Sequence, residues 1–267
     1  MIARWAREWL AYRVSLAFKR PYFGWYLAAT QCTERRQPWM RRLLRRELQR
    51  ASGPFRLLEV GSWAGQSTLL WAGVCEEMSR GTVFCVDHWR ASTNVPRWMQ
   101  QAAHHDRIFR LFLFNVQASG LAARIVPLRG ASDQVLPVLA PQFDVVYLDA
   151  DHAYSSFLSD LRHGMALTKV GGILCGDDLE LAPHQVDAAH AAQHREENYV
   201  RDPRSGKMFH PGVNRGLAEV FGEMEIKVWD GFWAMRRTPE GYVSVDEADF
   251  DEGAGRVMDP THRVAVA

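Results

Sequence analysis

Three carboxylates and an imidazole stand where two apolar runs of this chain end. Val145-Val146-Tyr147-Leu148 is a strand pattern closed by Asp149, and Gly172-Ile173-Leu174-Cys175-Gly176 is another, closed by Asp177 and Asp178. Neighbouring strands lie about 4.8 Å apart, and the carboxyl ends of an open α/β sheet form its usual ligand crevice. Carboxylates meeting there repel one another unless a cation joins them. Oxygen-only ligands suit a hard divalent cation, Mg²⁺ first, with Ca²⁺ or Mn²⁺ as alternatives. The plainer reading is that Asp177 or Asp178 caps the next segment and Asp149 points to solvent. His152 follows Asp149 by three residues, at an expected helix start. A lone histidine is more often structural, but one beside a metal crevice is a candidate general base.

A second constellation lies upstream. Arg56 to Val60 is a short buried-strand pattern, Gly61 and Gly65 bracket a turn, and Gln66 to Val74 continues as an apolar helix. A strand that turns over glycines into a helix brings backbone N–H groups and a positive helix end against an anionic ligand group. Glu59 sits at the strand end, where it can serve an ammonium group or order the loop. The next strand, Thr82 to Val86, is followed by Asp87, 26 residues after Gly61. An acid there is placed to accept both ribose hydroxyls of a nucleotide-like cofactor. The dinucleotide fingerprint G-x-G-x-x-G is not matched. The spacing Gly61-x-x-x-Gly65, with Trp63 inside it, resembles instead the S-adenosylmethionine (SAM) loop of class I methyltransferases.

These residues need a scaffold. The chain has 267 residues, 47% of them hydrophobic, enough for one large α/β core with extensions. Strands are expected near 56–61, 82–87, 123–128, 143–149 and 171–176. Helices are expected near 66–79, 97–119, 131–139 and 153–168. Apolar strands alternating with helices imply a mostly parallel sheet covered on both faces. Gly222–Val228 and Gly231–Arg236 read as two final strands. Residues 1–52 read as a helical extension, with helices over 2–19 and 38–51, and residues 53–240 as the catalytic domain. Residues 179–212 are a polar insertion holding His184, His190, His194 and His210, and long insertions in compact domains usually act as lids or mobile loops. Residues 241–267 read as an acidic tail, with Asp246, Glu247, Asp249, Asp251 and Glu252 as its acidic run.

The net charge of +1 gives no argument for nucleic acid, but residues 1–50 hold 12 Lys/Arg against 3 Glu, a net of +9, leaving −8 for the rest. Ile2, Trp5, Trp9, Tyr12 and Leu16 form one stripe of an amphipathic helix, with Arg4 and Arg7 opposite. Docking on its own domain or in a homodimer is expected ahead of contact with a membrane surface. Cys32, Cys75, Cys85 and Cys175 show no C-x-x-C pairing, which fits a reduced, cytoplasmic protein. Neither a signal-peptide pattern nor an apolar run of membrane-spanning length is read.

Three blocks in order, Leu58–Thr68, Arg129–Asp133, and Leu148–Tyr154 with Gly172–Asp178, make the chain resemble the catechol O-methyltransferase-like branch of class I SAM-dependent methyltransferases. It is more similar still to sugar O-methyltransferases of the macrocin type. The resemblance covers residues 55–180, weakens from Pro211 to Arg236, and leaves out residues 1–50 and 179–210. It implies a Rossmann-like fold with a mostly parallel seven-stranded sheet, helices on both faces and an N-terminal helical extension. Glu59, Gly61 and Ser67 would hold the amino-acid end of SAM and Asp87 its ribose. Ser132 and Asp133 would meet the adenine, with Ser62, Trp63, Gly65 and His88 completing the cofactor wall. Asp149, Asp177 and Asp178 would hold Mg²⁺ or another divalent cation, and the base falls at His152, with Asp149 as second proton acceptor. Asp133, Asp178 and His152 replace Gln, Asn and Lys of the catechol enzyme.

The expected activity is methyl transfer from SAM to a hydroxyl of a small molecule, a sugar or a hydroxylated natural product. Two alternatives use the same scaffold: a hydroxylase-like or dinucleotide-dependent enzyme, and a non-catalytic SAM-fold binding protein.

Overall fold

The computed structural model describes residues 2–28, 35–91, 97–140, 142–222 and 224–250, with side chains from Trp5 onward. Cys32, Asp251, Glu252 and the side chains of Ile2 and Arg4 lie outside the described set. The chain opens with α1 (Ile2–Ala17) and α2 (Gln37–Arg50). It continues through β1 (Arg56–Val60), α3 (Gln66–Glu77), β2 (Thr82–Asp87), α4 (Arg97–Ala103), α5 (Arg107–Ser119) and β3 (Ile125–Arg129). Then come α6 (Ser132–Val135), β4 (Phe143–Leu148), α7 (Tyr154–Leu167) and β5 (Thr168–Leu179). The insertion holds α8 (Ala188–Gln193), β6 (Val200–Arg201) and β7 (Met208–Phe209). After it follow α9 (Pro211–Phe221), β8 (Val228–Trp229), β9 (Gly231–Thr238) and β10 (Gly241–Ser244).

Seven strands run across the main sheet in the order β10-β9-β5-β4-β1-β2-β3, and β8 adds a short eighth on β9. Strands β1 to β5 are mutually parallel, whereas β9 is antiparallel to β5 and to β10. Parallel strands need helical crossovers, which cover both faces. Alternate residues therefore enter different cores. Leu57, Val83, Val145 and Ile173 join Leu44, Trp71 and Phe112 on one face. Leu58, Val146 and Leu174 join Phe157, Leu161 and Leu217 on the other.

Four details differ from the sequence reading. Residues 97–119 form two helices, because His105 and Asp106 take left-handed φ values of 54° and 57°. The apolar periodicity continues across that kink and hides it. Among the described residues only Val228 of the expected 222–228 strand pairs, together with Trp229 beyond it, and the outer edge belongs to β10. The 240/241 boundary thus cuts a hairpin: Tyr242, Val245 and Phe250 are buried. A four-residue strand carries too little alternation to announce itself. The insertion is folded, with its own small core of Leu181, Val186, Ala191, Val200 and Phe209.

Helix α2 is part of the domain and not an appendage. Met40, Leu43, Leu44 and Leu48 are wholly buried. Between them Glu47 meets Arg236 of β9 at 2.8 and 3.1 Å. Removing one partner of a buried pair leaves the other charge uncompensated. Glu47→Ala is expected to lower unfolding free energy in urea by about 3–5 kcal/mol. A loss within the surface-substitution range would mean that Arg236 finds compensation in Asp249 and the Gly171 carbonyl.

Candidate active site

Strand β1 ends in a loop that closes on its neighbours. Gly61 has φ 92°, and a Cβ there would stand 2.0 Å from the Asp149 carbonyl oxygen. The ends of β1 and β4 approach this closely because position 61 lacks a side chain. Gly65, at φ 88°, starts α3. Glu59 is fully buried and accepts hydrogen bonds from Ser62 Oγ (2.8 Å) and Thr68 Oγ1. Burial pushes its carboxyl up, and these hydroxyls oppose the shift. Glu59 is thus a clamp inside the loop.

Asp87 finishes the turn from below. Its carboxylate accepts from the backbone N–H of Ser62 (3.0 Å), Trp63 (2.8 Å) and Trp89. Burial raises its pKa and these N–H groups lower it. His88 is exposed beside it.

A cavity of about 700 Å³ runs along the carboxyl ends of β1, β2, β4 and β5. Of the residues expected at the cofactor, Gly61, Trp63, Asp87, His88, Ser132 and Asp133 line it, and so do Asp149, His152, Asp177 and Asp178. Glu59, Ser62, Gly65 and Ser67 do not: they stand behind the wall, and the last two set the start of α3.

The sheet register brings the acids together. Val60 pairs with Leu148, and Leu148 with Gly176, so Asp149 and Asp177 leave adjacent strand ends. The Tyr147 hydroxyl donates to Asp149 Oδ2 at 3.1 Å and lies 3.4 Å from Asp177 Oδ2. Asp178 is in left-handed conformation, at φ 64°. Burial, then Asp177 and Asp178, push the Asp149 carboxyl well above the usual range. Burial and Asp178 raise Asp177 to about 6 against the pull of Arg36. The three acids therefore share one cavity with part of their repulsion uncompensated, but they do not bring one oxygen each within 4.8 Å of the others.

Besides His152, which the sequence reading placed here, Arg36 and His210 share this centre and are invisible to motif reading. Arg36, at the N-terminal end of α2, forms an ion pair with Asp177 and lies 3.8 Å from Asp178. Gly231 makes room for it, since a Cβ there would approach Arg36 Nη2 to 3.1 Å. His152 Nε2 lies 2.7 Å from Asp178 Oδ2, and its Nδ1 lies 2.6 Å from Asn198 Oδ1. His210 Nδ1 lies 3.1 Å from Glu180 Oε1 and 3.9 Å from Asp178 Oδ1. Among the described residues, it is His152, Asp178 and His210 that bring one potential metal-ligand atom each within 4.8 Å of the others. Burial alone would raise Asp178, but His152, His210 and Arg36 hold its carboxyl far below the usual range.

Burial alone would lower His152, yet Asp178, Asn198 and Asp149 raise it to about 10. Both ring nitrogens face oxygen acceptors, so the ring is an imidazolium at neutral pH. In this arrangement His152 is the ion-pair partner of Asp178.

Residues 58–179 match a family model described as a methyltransferase domain. No curated protein sequence matches the chain. Among solved structures it is similar to cofactor-bound Rv0187 from MTB, at 19% identity and a TM-score of 0.51, covering 84% of this chain and 87% of that one. It is also similar to a putative O-methyltransferase from Klebsiella pneumoniae, at 20% identity and a TM-score of 0.51, covering 79% and 83%. A third is the O-methyltransferase NovP, at 17% identity and a TM-score of 0.51, covering 79% and 84%. At these identities the likeness establishes the fold.

The ion pair has a direct readout. Below the ordinary histidine pKa of about 6.5 the ring is charged whether folded or unfolded, and the pair's stabilisation is fully present. It is lost as pH rises through about 10. Side-chain NMR of His152 should therefore show a doubly protonated ring at pH 8, and Asp178→Asn should return its midpoint toward 6.5 or below. A wild-type midpoint near 6.5 would make His152 a free base at neutral pH and give it the proton-accepting role.

Proposed function

We propose that this chain, a class I methyltransferase by its domain over residues 58–179 and by its sheet, moves a methyl group from SAM to a hydroxyl oxygen. The acceptor is a small molecule, a sugar or hydroxylated natural product. One observation carries the reading: a single cavity joins the Gly61–Trp63 turn and Asp87 to Ser132, Asp149, Asp177 and Asp178. A cofactor wall without acids at its far end would suit binding alone. Acids without a cofactor wall would suit an unrelated metal enzyme. The likeness to proteins described as O-methyltransferases agrees with this choice.

In the proposed reaction the acceptor oxygen forms a bond to the methyl carbon as the carbon–sulfur bond breaks. The electron pair of that bond goes to sulfur, which becomes a neutral thioether. Asp87 holds the ribose end of the cofactor while the turn at Gly61 and Trp63 lies along it. Asp149 takes the hydroxyl proton; its raised pKa makes it a stronger base than an exposed carboxylate. His152 and Arg36 keep Asp178 and Asp177 ionised and fixed. Asp149, Asp177 and Asp178 are the residues that would hold Mg²⁺ or another divalent cation, which when bound would lower the pKa of the acceptor hydroxyl. Much of the rate then comes from orientation of the two reactants.

Its partners are this cofactor and its acceptor. Among the described residues no helix is long and apolar enough to cross a membrane. Cys75, Cys85 and Cys175 are free and buried, in keeping with the reducing location proposed here, the cytoplasm. Helix α1 exposes Trp5, Leu10 and Val14, the surface on which a second copy would complete a homodimer.

Calorimetry should detect SAM or S-adenosylhomocysteine binding, and Asp87→Ala should weaken it by about 1–3 kcal/mol through lost charge-assisted hydrogen bonds. Tight NADH binding with no SAM signal would overturn the assignment. Exhaustive chelation should abolish methyl transfer and added Mg²⁺ should restore it. Full activity after chelation would remove the metal and leave Arg36 as the resident cation of the acids.

A further inference from the structure

The end of the insertion brings a second imidazole to His152. Position 212 is glycine, and a Cβ there would stand 2.1 Å from the His152 carbonyl oxygen and 2.4 Å from the Tyr154 nitrogen. The start of α9 therefore packs directly on the turn that opens α7. His210, the residue before α9, comes with it, and its ring centroid lies 4.3 Å from that of His152. Asp178, near the end of β5, faces both rings. Its Oδ2 lies 2.7 Å from His152 Nε2, and its Oδ1 lies 3.9 Å from His210 Nδ1. One ligand atom from each of the three stands within 4.8 Å of the others. Nitrogen or oxygen ligands about 2.1 Å from one zinc ion are at most about 4.2 Å apart, so small side-chain shifts bring all three onto a single ion. Behind His152, Asn198 Oδ1 meets Nδ1 at 2.6 Å and leaves Nε2 to face Asp178. Ligating histidines usually give their other ring N–H to such an oxygen, which fixes the ring.

Two imidazoles and one carboxylate are not a magnesium set. Mg²⁺ and Ca²⁺ take oxygen ligands, whereas imidazole nitrogen suits Zn²⁺ and the neighbouring transition metals. Three protein ligands also leave a coordination position open, and His152 and Asp178 both line the cavity. We propose that His152, Asp178 and His210 form a binding site for a divalent cation of the Zn²⁺ kind, with donors that share only Asp178 with the three-acid crevice. The cation takes the place of the proton between His152 and Asp178, so the carboxylate keeps a positive partner. It ties the turn before α7, the end of β5 and the end of the insertion to one atom. The site does not depend on the SAM reading of the cavity.

The experiment titrates the chelator-treated full chain with Zn²⁺ alone and with Mg²⁺ alone, by calorimetry and by melting temperature, with neither SAM nor an acceptor present. Zn²⁺ should bind in one tight step and raise the melting temperature, and millimolar Mg²⁺ should not displace it. Loss of an outer partner typically costs about 10- to 100-fold in metal affinity, which is the weakening expected of Asn198→Ala. His210→Ala removes a ligand and should weaken the tight step by about 100-fold or more. His210→Gln, which keeps a polar side chain at this buried position, is the second variant should alanine not be tolerated. Asp149→Asn should leave Zn²⁺ affinity nearly unchanged, because that carboxylate belongs to the crevice alone. His190 and His194, whose rings also lie 4.3 Å apart, are the competing pair of imidazoles, and replacing both by alanine should leave the tight step in place. Loss of that step in the His190/His194 variant but not in the His210 variants would put the ion inside the insertion and overturn the proposal. Zn²⁺ binding no tighter than Mg²⁺, or unchanged in both His210 variants, would also overturn it and leave the two rings as ion-pair partners of Asp178 and Glu180. Because no SAM is present, each of these failures leaves the methyl-transfer reading standing.

Discussion

Buried negative charge at the end of a parallel sheet is the constraint on which much else here depends. Asp149, Asp177 and Asp178 stand just past the last residues paired between β4 and β5, Leu148 and Gly176, and line one cavity. Such a cluster cannot stay ionised and ordered without donors and cations close by. The fold supplies them from three directions. Arg36 comes from the segment ahead of the sheet, His152 from the start of α7, and His210 from the end of the insertion. Two of these three belong to segments that the methyltransferase blocks do not cover. The N-terminal extension and the insertion are therefore joined to the chemistry through charge as well as through packing.

The same logic separates two kinds of acid in this site. Glu59 has one oxygen, Oε2, held by the Ser62 and Thr68 hydroxyls, while its Oε1 is buried without a partner. Asp87 is likewise held by backbone N–H groups, but it remains on the cavity wall. Asp149 differs from both, because two other carboxylates and one phenol stand beside it, with His152 and Arg36 opposing them in part. Residue type alone makes the three look equivalent, and only their environments tell them apart.

This is also where the sequence was legible and where it stopped. The strand–glycine turn–helix at 56–77 and the strand-ending acids announce themselves, because period, turn chemistry and charge all change within a few residues. Those features place the crevice and the acids around it. Arg36 could not be chosen from a run that also contains Arg35, Arg41 and Arg42. Its partner lies 141 positions away, and the glycine that makes room for it, Gly231, reads as an ordinary turn residue. His210 was one of four histidines in a polar stretch, and only the folding of the insertion selects it. What escaped is consistently the long-range pairing of single charged groups, which leaves no periodic trace.

Helix α2 shows how such pairings shape the whole molecule. Arg36 at its start reaches Asp177, and Glu47, eleven residues on, reaches Arg236. At 1.5 Å per residue these anchors are roughly 16 Å apart along the helix axis. Between them the helix buries Met40, Leu43 and Leu44 against the sheet. The helix is thus fixed in rotation by its apolar stripe and in translation by two ion pairs of opposite polarity. A slide of one turn would break both pairs at once. Arg36 stands at the acids as the residue that opens α2, its carbonyl accepting from the N–H groups of Trp39 and Met40. Position 36 is fixed by an interaction at position 47, which makes the register of α2 part of the active site.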